Sequence, residues 1–394
     1  MSAPHVALVF ALVAASAGLA ACGDAADAVR ASVSVAEAMS GDTTGYARAD
    51  EPRDFVFPSD HGPHAGFKTE WWYVTGNLRA TDGTDRRFGV QFTVFRSALT
   101  PDTSSTRASS WATNALFMAH VALGDSAAGR FYDEERFARG AAGLAGAEAD
   151  PLRVWLGPVE IAGAGSAAGA VPLRIRGAAD GAAYEMEARP VKPIVLQGER
   201  GLSQKGPGEG NASYYYAQTR MATTGTVTLP GADGSAGETI PVEGLTWLDR
   251  EWSTSALAEN QVGWDWFALH LDDGRDLMLY QLRQRDGSKD PLSKGSVIAA
   301  DGAKTGLDAT DYTLDPIGTW DSPRGGTYPT RWRVRVPSAG LDLEVAGMMP
   351  DQELDATVRY WEGGVSVTGS ATGTGFLEMT GYADGQDASA RPSP

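Results

Sequence analysis

RFGVQFTVFR, at residues 87–96, alternates apolar and polar side chains and decides the class of the fold. Successive side chains of a β-strand point to opposite faces, so the apolar residues of this stretch share one face: Phe88, Val90, Phe92 and Val94. RWRVRV at residues 331–336 repeats the alternation with arginines in between. One buried and one solvated face are typical of antiparallel sheets, so we predict an all-β protein.

Further alternating runs are weaker and are separated by turn signals. They lie at residues 184–189, 224–229, 341–345 and 365–367. Aspartate–glycine pairs favour tight turns between strands, and they occur at residues 82–83, 233–234, 273–274, 286–287 and 301–302. Many short strands joined by such turns predict antiparallel sandwiches or barrels. Helical periodicity is scarce: residues 133–139 are the best short candidate, and the Ala/Gly-rich residues 140–170 suggest loop around one strand.

The chain length predicts two domains, because 394 residues exceed what one hydrophobic core usually spans. A boundary near residues 245–255 would divide the body into two β domains. The predicted segments are a signal peptide at 1–22, a flexible tether at 23–54, a first domain at 55–247, a second domain at 248–384 and a disordered tail at 385–394.

The first residues predict export. Residues 6–19 are apolar but too short to span a bilayer comfortably. The sequence LAAC that ends at Cys22 resembles the lipobox of bacterial lipoproteins, which implies that Cys22 becomes the lipid anchor. Residues 1–5 lack Lys and Arg, so an ordinary secretory signal is the alternative. We expect a cell-envelope protein, anchored on the periplasmic side of the outer membrane because Gly23 is not the aspartate that favours inner-membrane retention, or else secreted.

The composition of the chain argues against several classes of binding partner and cofactor. A net charge of −17 argues against nucleic acid and against a basic membrane-binding patch, so we expect membrane contact through the anchor only. Cys22 is the single cysteine of the chain, which leaves no internal disulfide and no cysteine metal site. The sequence also lacks a nucleophile elbow, a phosphate loop, a dinucleotide fingerprint and a calcium loop. We therefore expect no cofactor.

Two tryptophan-rich motifs predict a ligand pocket: DHGPHAGFKTEWWYVTGNL at 60–78 and GLTWLDREWSTSALAENQVGWDWFALHLDDG at 244–274. Each places tryptophans beside charged groups, as expected of an apolar pocket with a few aimed polar groups. His61 and His64 have HxxH spacing, but Gly62-Pro63 forces a turn and few imidazoles remain for a zinc site. One interpretation is that both histidines form structural hydrogen bonds with backbone groups. We expect instead that one of the two lines the mouth of the pocket.

Strand alternation sorts the charged residues of both motifs. Glu70 would share a face with Trp72. It could be an acid with a raised pKa, or it could form a structural ion pair with an arginine. In WLDREW, Asp249 and Glu251 would face one way and Arg250 the other. Either carboxyl could act as general acid and Arg250 could stabilise an oxyanion, although a buried salt-bridge network needs the same residue types.

Together the motifs resemble the lipocalin-like family of AttH-type proteins and carotenoid 1,2-hydratase (CrtC), including its predicted secreted hydrolases. The matching stretches are Phe57-Pro58, DHGPH, EWWYVTGNL, Lys205, the run 213–216 (SYYY), 244–252 (GLTWLDREW), 263–274 (GWDWFALHLDDG), 360–363 (YWEG) and 375–382 (GFLEMTGY). The resemblance implies two tandem lipocalin-like domains with an apolar cavity near their junction. It also implies a terpenoid, polyene or otherwise lipid-like ligand, and relatives that often lie near exporter-type ABC transporter components.

The functional residues of the carotenoid hydratase carry over only in part. Its histidine falls on Arg250 and its tryptophan on Trp252, while its tyrosine and essential acid fall on Tyr280 and Leu282. The AttH-like branch keeps the DREW pattern, so it is the closer match.

We therefore predict an envelope-anchored protein that binds a hydrophobic small molecule and performs metal-independent hydrolase or hydratase chemistry. The alternative is a non-catalytic lipid carrier or chaperone that works with an ABC exporter. The candidate catalytic residues are Asp249, Arg250, Glu251, Tyr280 and Glu70. The candidate ligand-binding residues are His61, His64, Trp71, Trp72, Tyr73, Trp247, Trp252, Trp264, Trp266 and His270.

Overall fold

The structure is a computed structural model that describes residues 42–101, 109–165, 169–231, 237–254, 258 and 260–383. The predicted signal peptide with Cys22, residues 23–41 of the tether, the turn at 233–234 and the tail at 385–394 lie outside these ranges. Within them, no helix is long and apolar enough to cross a membrane.

The described residues form an all-β fold of two curled antiparallel sheets, which confirms the fold predicted from strand alternation and the family resemblance. The first sheet contains β1 (Thr69–Ala80), β2 (Arg87–Ala98), β3 (Ala115–Asp125), β4 (Arg130–Arg139), β5 (Ala145–Ala149), β6 (Leu152–Leu156), β7 (Val159–Gly163), β8 (Leu173–Ala179), β9 (Ala182–Pro190), β10 (Val195–Leu196), β11 (Leu202–Gln204), β12 (Ala212–Leu229) and β13 (Glu238–Ser253). Its main path runs β4-β3-β2-β1-β13-β12-β9-β8-β7-β6-β5.

The second sheet contains β14 (Gln261–Leu271), β15 (Asp276–Gln284), β16 (Lys294–Ile298), β17 (Lys304–Asp308), β18 (Thr313–Asp321), β19 (Thr327–Val336), β20 (Leu341–Gly347), β21 (Glu353–Leu354), β22 (Tyr360–Gly369) and β23 (Gly373–Thr380). Its main path runs β17-β16-β15-β14-β23-β22-β20-β19-β18. Short 3-10 turns lie at Ser59–His61 and Pro337–Ala339.

Several local predictions need correction. The helix candidate at 133–139 lies in β4, which pairs with β3 along its whole length. Residues 140–170 contain β5, β6 and β7 rather than mainly loop, because alternate side chains such as Leu152 and Val154 are buried. The boundary set between residues 247 and 248 falls inside β13, and the chain changes sheets between Ser253 and Gln261.

The end of the predicted tether packs on the body. The Tyr46 hydroxyl donates a hydrogen bond to the carbonyl of Ala98 at 3.1 Å, and Ala49 is fully buried. Arg53 forms an ion pair with Asp60 at 2.6 Å. These contacts place the start of the folded body before Phe55, earlier than the composition suggested.

Each sheet curls around a core of its own, and a third apolar cluster joins them. The first core includes Phe88, Val90 and Phe92 of β2, and the second includes Trp332 and Val334 of β19. The joining cluster contains Tyr73 and Trp247 from the first sheet with Trp266 and Tyr280 from the second. The sheets therefore meet on the faces that carry the tryptophan motifs.

The backbones of the two sheets come close together at a pair of glycines. A Cβ atom on Gly89 of β2 would lie 3.0 Å from the backbone nitrogen of Gly364 of β22. A Cβ on Gly364 would lie 2.4 Å from the sulfur of Met348 and 3.3 Å from the Cα of Gly89. Any side chain here would push the sheets apart.

We predict that Gly364→Val lowers the free energy of unfolding by about 1–3 kcal/mol, the usual cost of overpacking. Urea unfolding measures the change. Gly306→Val in β17 is the control, because nothing lies within 4 Å of a Cβ there. Equal stability of the two variants would contradict the close approach of the sheets.

Candidate active site between the two sheets

The faces of the two sheets enclose a cavity of about 230 Å³. Strand alternation decides which side chains reach it: on β1 they are Thr69, Trp71 and Tyr73, and on β13 they are Asp249, Glu251 and Ser253. The remaining lining residues are Thr93, Phe95, Ser97, Met118, His120, Lys205, Ser213, Tyr215, Trp264, Trp266, Tyr280, Leu282, Val358, Tyr360, Glu362, Glu378 and Thr380. The cavity is thus an aromatic chamber that contains four carboxyl groups.

Glu362 is the most exceptional of these carboxyl groups. Its side chain is fully buried. Among the described residues neither carboxyl oxygen meets the geometry of a hydrogen bond, although the nearby hydroxyls of Tyr73 and Tyr360 act to lower its pKa. Glu362 stands directly opposite Glu378 in the pairing of β22 with β23, where side chains lie close together. Burial, followed by the charge of Glu378, raises the pKa of Glu362 well above its ordinary value. A neutral carboxylic acid therefore faces the cavity.

Two other carboxyl groups have raised pKa values. Burial raises the pKa of Glu378 to about 7, although the Trp264 indole donates a hydrogen bond to it at 3.1 Å. Burial raises the pKa of Asp249 to about 8, against the effect of the Trp247 indole, which donates to it at 2.7 Å. Near neutral pH, Glu378 is thus close to half-protonated and Asp249 is mostly protonated, which suits proton transfer.

Glu251 is balanced by a cation. Lys205 Nζ lies 3.2 Å from its carboxylate, and the Ser213 hydroxyl donates a hydrogen bond to it. Burial by itself lowers the pKa of Lys205, but the combined attraction of Glu251, Tyr280 and Asp249 outweighs burial and raises it. Lys205 also lies 4.5 Å from the ring centre of Tyr280. In this part of the cavity, the ion pair of Lys205 and Glu251 can bind a polar group of a ligand.

One hydrogen-bonded chain of polar groups and two unpartnered hydroxyls complete the cavity lining. The Nδ1 atom of His120 is hydrogen-bonded to the Tyr360 hydroxyl, and its Nε2 atom lies 3.0 Å from Glu135. The hydroxyls of Tyr73 and Tyr215 are buried without a partner among the described residues. Unpartnered hydroxyls cost free energy in a dry site, so they are available to a ligand.

The structure contradicts the site predicted around Glu70 and Arg250. Both are fully buried on the sheet face that points away from the cavity, where they form an ion pair. Arg250 also donates to the carbonyl of Gly62 at 2.6 Å and stacks 3.9 Å from the ring centre of Trp72. Burial alone would raise the pKa of Glu70, but Arg250, His64 and Arg96 hold it far below its usual range. The salt-bridge interpretation is the one that fits.

Other predicted ligand-binding residues also lie away from the cavity. The ring of His64 stacks on Trp252 at 3.7 Å between centroids. His61 bridges the Tyr216 hydroxyl at 2.7 Å and the carbonyl of Gly169 at 2.9 Å, and neither histidine belongs to the lining of this cavity. His270 contacts the carbonyl of Thr219 at 2.7 Å. Trp72 and Trp252 are also absent from the cavity lining. Trp247 does not line the cavity either, but its indole donates a hydrogen bond to Asp249, which does.

The cavity does bring together seven of the predicted residues. They are Asp249, Glu251, Tyr280, Trp71, Tyr73, Trp264 and Trp266. Sequence reasoning assigned no role to His120, Lys205, Tyr360, Glu362 or Glu378. GFLEMTGY contained a usable signal, because a glutamate with apolar neighbours on a strand is exposed to solvent or buried at high cost. Among the described residues, no group of three or more His, Cys, Asp or Glu side chains could hold a metal ion.

Comparison with known proteins identifies relatives over almost the whole body. The sequence model of the AttH-like family matches residues 48–382. A crystal structure of an AttH from Nitrosomonas europaea is 35% identical, covers 86% of this chain and 100% of its own, and superposes with a TM-score of 0.73.

Kievitone hydratase is a more distant relative. Its crystal structure from Nectria haematococca shares the fold, with 17% identity, a TM-score of 0.62, and coverage of 87% of this chain and 98% of its own. Kievitone hydratase from Fusarium solani subsp. phaseoli is 22% identical over 195 residues, 47% of this chain. The match spans about half of that relative, 53% of its length.

We predict that Arg250→Ala lowers the free energy of unfolding by about 3–5 kcal/mol, because it removes one cation from a fully buried ion-pair network and leaves Glu70 with only Arg96 and His64. Urea unfolding measures the loss. Arg333→Ala removes the exposed pair with Asp342 and should cost less than about 1 kcal/mol. An Arg250→Ala protein of parental stability would return Arg250 to the list of candidate catalytic residues.

We predict a pH dependence of stability from Glu378 and Asp249. Their folded-state pKa values of about 7 and about 8 exceed the value of about 4 in an unfolded chain. The native protein keeps protons that the unfolded chain has lost, so their contribution to stability falls from about pH 4 to about pH 8 and is constant beyond.

Replacement by Glu378→Gln and Asp249→Asn should flatten this slope in urea titrations at a series of pH values. Glu344→Gln in β20 changes a carboxyl outside the cavity and should leave the slope unchanged. A slope that is the same in all proteins would contradict the raised pKa values.

Proposed function

This chain belongs to the AttH-like family, and we propose that it is a hydratase-type enzyme that adds water to, or removes it from, a hydrophobic small molecule held between its sheets. The observation that carries the proposal is the buried, unpartnered carboxyl of Glu362 opposite Glu378 in an aromatic cavity. Among the described residues no cation forms an ion pair with Glu362, whereas Arg250 forms one with the buried Glu70. An uncompensated acid in a cavity is typical of a catalytic group.

The chemistry of hydration fits this pair. Protonation of an unactivated carbon–carbon double bond requires a neutral acid in a dry site, and Glu362 has both properties. Carboxyl groups this close share a proton, since they cannot both ionise at ordinary cost. Glu362 is then the acid, and Glu378 is the carboxylate that accepts a proton.

The proposed reaction balances without a co-reactant other than water. The Glu362 carboxyl gives its proton to one alkene carbon, and the π electrons form the new C–H bond. A water oxygen bonds to the cationic carbon, and Glu378 removes one proton from the added water. Transfer of that proton from Glu378 to Glu362 restores both groups, and the reverse sequence is dehydration.

The aromatic walls suit a cationic transition state. The faces of tryptophan rings attract cations, most strongly where water is excluded. Trp71, Trp264 and Trp266 line the cavity beside the carboxyl pair. The Lys205–Glu251 pair, whose charges act on Glu378, can orient an oxygen of the substrate, with Tyr280 next to it.

A hydratase fits better than a hydrolase. Hydrolysis of an ester or lactone needs a donor for the oxyanion. The predicted donor, Arg250, is not part of the cavity lining, whereas Lys205, Tyr73 and Tyr215 are. The preference for hydration therefore rests on the buried acid Glu362 and not on the lack of a donor. The relationship to kievitone hydratase supports the same reaction class. We further propose, from the sequence, that the protein is attached to the envelope membrane through Cys22.

We predict that Glu362→Gln lowers turnover by about 10²–10⁴-fold, the usual contribution of a general acid, while the protein still folds. The parent and the variant are incubated with total lipid extract of the host, and mass spectrometry follows both bulk and protein-bound compounds. A bulk compound shifted by one water only with the parent is the expected result.

The control is Glu344→Gln, which should behave as the parent. A rate unchanged by Glu362→Gln would refute the assigned acid. A compound that parent and variant both bind and leave unchanged would identify the protein as a carrier, the alternative that fits its apolar walls.

A further inference from the structure

Exposed apolar side chains gather at one end of the first sheet. Eight large apolar side chains are strongly exposed among the described residues, and five of them belong to neighbouring segments at this end: Leu99, Trp111, Leu116, Phe137 and Leu144. Trp111 and Phe137 are 58% and 53% exposed. Single exposed apolar residues are ordinary, but a cluster marks an interaction surface.

Backbone hydrogen bonds hold these segments together. The Leu99 amide donates to the carbonyl of Asn114 at 2.9 Å, and the Ala142 amide donates to the carbonyl of Ser110 at 3.1 Å. Trp111 therefore lies between the ends of β2 and β4. We call Leu99, Trp111, Leu116 and Phe137 the apolar rim.

The register connects the apolar rim to the cavity. Phe95, Met118 and Phe137 are directly paired across β2, β3 and β4. Phe95 and Met118 line the cavity, so Phe137 continues the same row outward on the edge strand. Ser97, also in the cavity wall, is paired with the exposed Leu116. An apolar surface thus runs without a break from the cavity wall to solvent.

The N-terminal part of the body meets the same end. The Tyr46 hydroxyl bonds to the carbonyl of Ala98, the residue before Leu99, at 3.1 Å. A Cβ atom on Gly45 would lie 3.1 Å from the side chain of Pro101. The chain that comes from Cys22 enters the described body beside the apolar rim.

We propose that the apolar rim docks on a lipid bilayer and that the ligand passes between bilayer and cavity across it. The ligand-transfer part rests on the proposed hydrophobic ligand, whereas docking itself does not. A hydrophobic molecule is concentrated in the bilayer, and a continuous apolar path avoids its transfer through water. Tryptophan, phenylalanine and leucine side chains are those that insert at membrane interfaces. Attachment through Cys22 would hold the rim at that surface.

Insertion of the rim does not need anionic lipid. The net charge of −17 opposes attraction to an anionic surface, so the apolar side chains must supply the binding. The rim is thus expected to prefer neutral vesicles. This preference separates the proposal from the usual basic-patch mechanism.

The experiment is flotation of the full chain with Cys22→Ser, which removes the acyl chain, on phosphatidylcholine vesicles. A second set adds phosphatidylglycerol. We expect binding to phosphatidylcholine, weaker binding with phosphatidylglycerol, and a loss of about tenfold for each of Trp111→Ser and Phe137→Ser, the value of one large apolar side chain.

Ile317→Ser and Val191→Ser are the matched controls, because these side chains are 45% and 56% exposed outside the rim segments. They should bind vesicles as the parent does, and circular dichroism should show that all variants fold. A parent that binds neither vesicle type, or rim variants that bind like the controls, overturns the proposal in favour of a protein contact. Glu362→Gln should float like the parent, so failure of the hydratase proposal is seen separately.

Discussion

The structure depends on the pairing of β1 with β13, because it forces charged and aromatic residues onto both faces of one sheet. Trp72 is paired with Arg250 and Tyr73 with Asp249. On one face, Glu70 and Arg250 neutralise each other inside aromatic rings. On the other face, Asp249 and Glu251 reach the space between the sheets. A charge buried without compensation costs several kcal/mol, so each face needed its own solution.

The carboxyl groups on the two faces are stabilised in different ways. One face has a structural ion-pair network, and the other has the groups that we propose to be catalytic. Behind the sheet, Arg96 and Arg250 satisfy Glu70, which stays ionised. In the cavity, one lysine faces four carboxyl groups, so Glu362, Glu378 and Asp249 are stabilised in their protonated forms instead. Such groups lower stability, and proteins keep them mainly at functional sites. The contrast within one protein is the strongest argument for an active site here.

The second sheet turns this row of acids into a chamber. Its β14, β22 and β23 bring Trp264, Trp266, Glu362 and Glu378 opposite Trp71 and Tyr73. Gly89 and Gly364 allow the two sheets to approach closely, and the row from Phe95 through Met118 to Phe137 leads from the cavity wall to the edge strand β4. The enclosure of the cavity, its acidic groups and the proposed route of the ligand therefore depend on different strand contacts.

The sequence alone determined the all-β class and which side chains share a face, since alternation with period two is a local property of the backbone. It separated Asp249 and Glu251 from Arg250, and it located the aromatic walls at Trp71, Trp264 and Trp266. It could not decide which face of β1 and β13 meets the second sheet, so Arg250, Glu70 and His64 were given catalytic or binding roles although they lie outside the cavity lining. It also left Glu362, Glu378 and His120 without a role, although the first two lie in the stretches YWEG and GFLEMTGY that carry the family resemblance. Only the tertiary structure brings them together, because partners and burial, which set the pKa of a carboxyl group, are decided by contacts between distant strands.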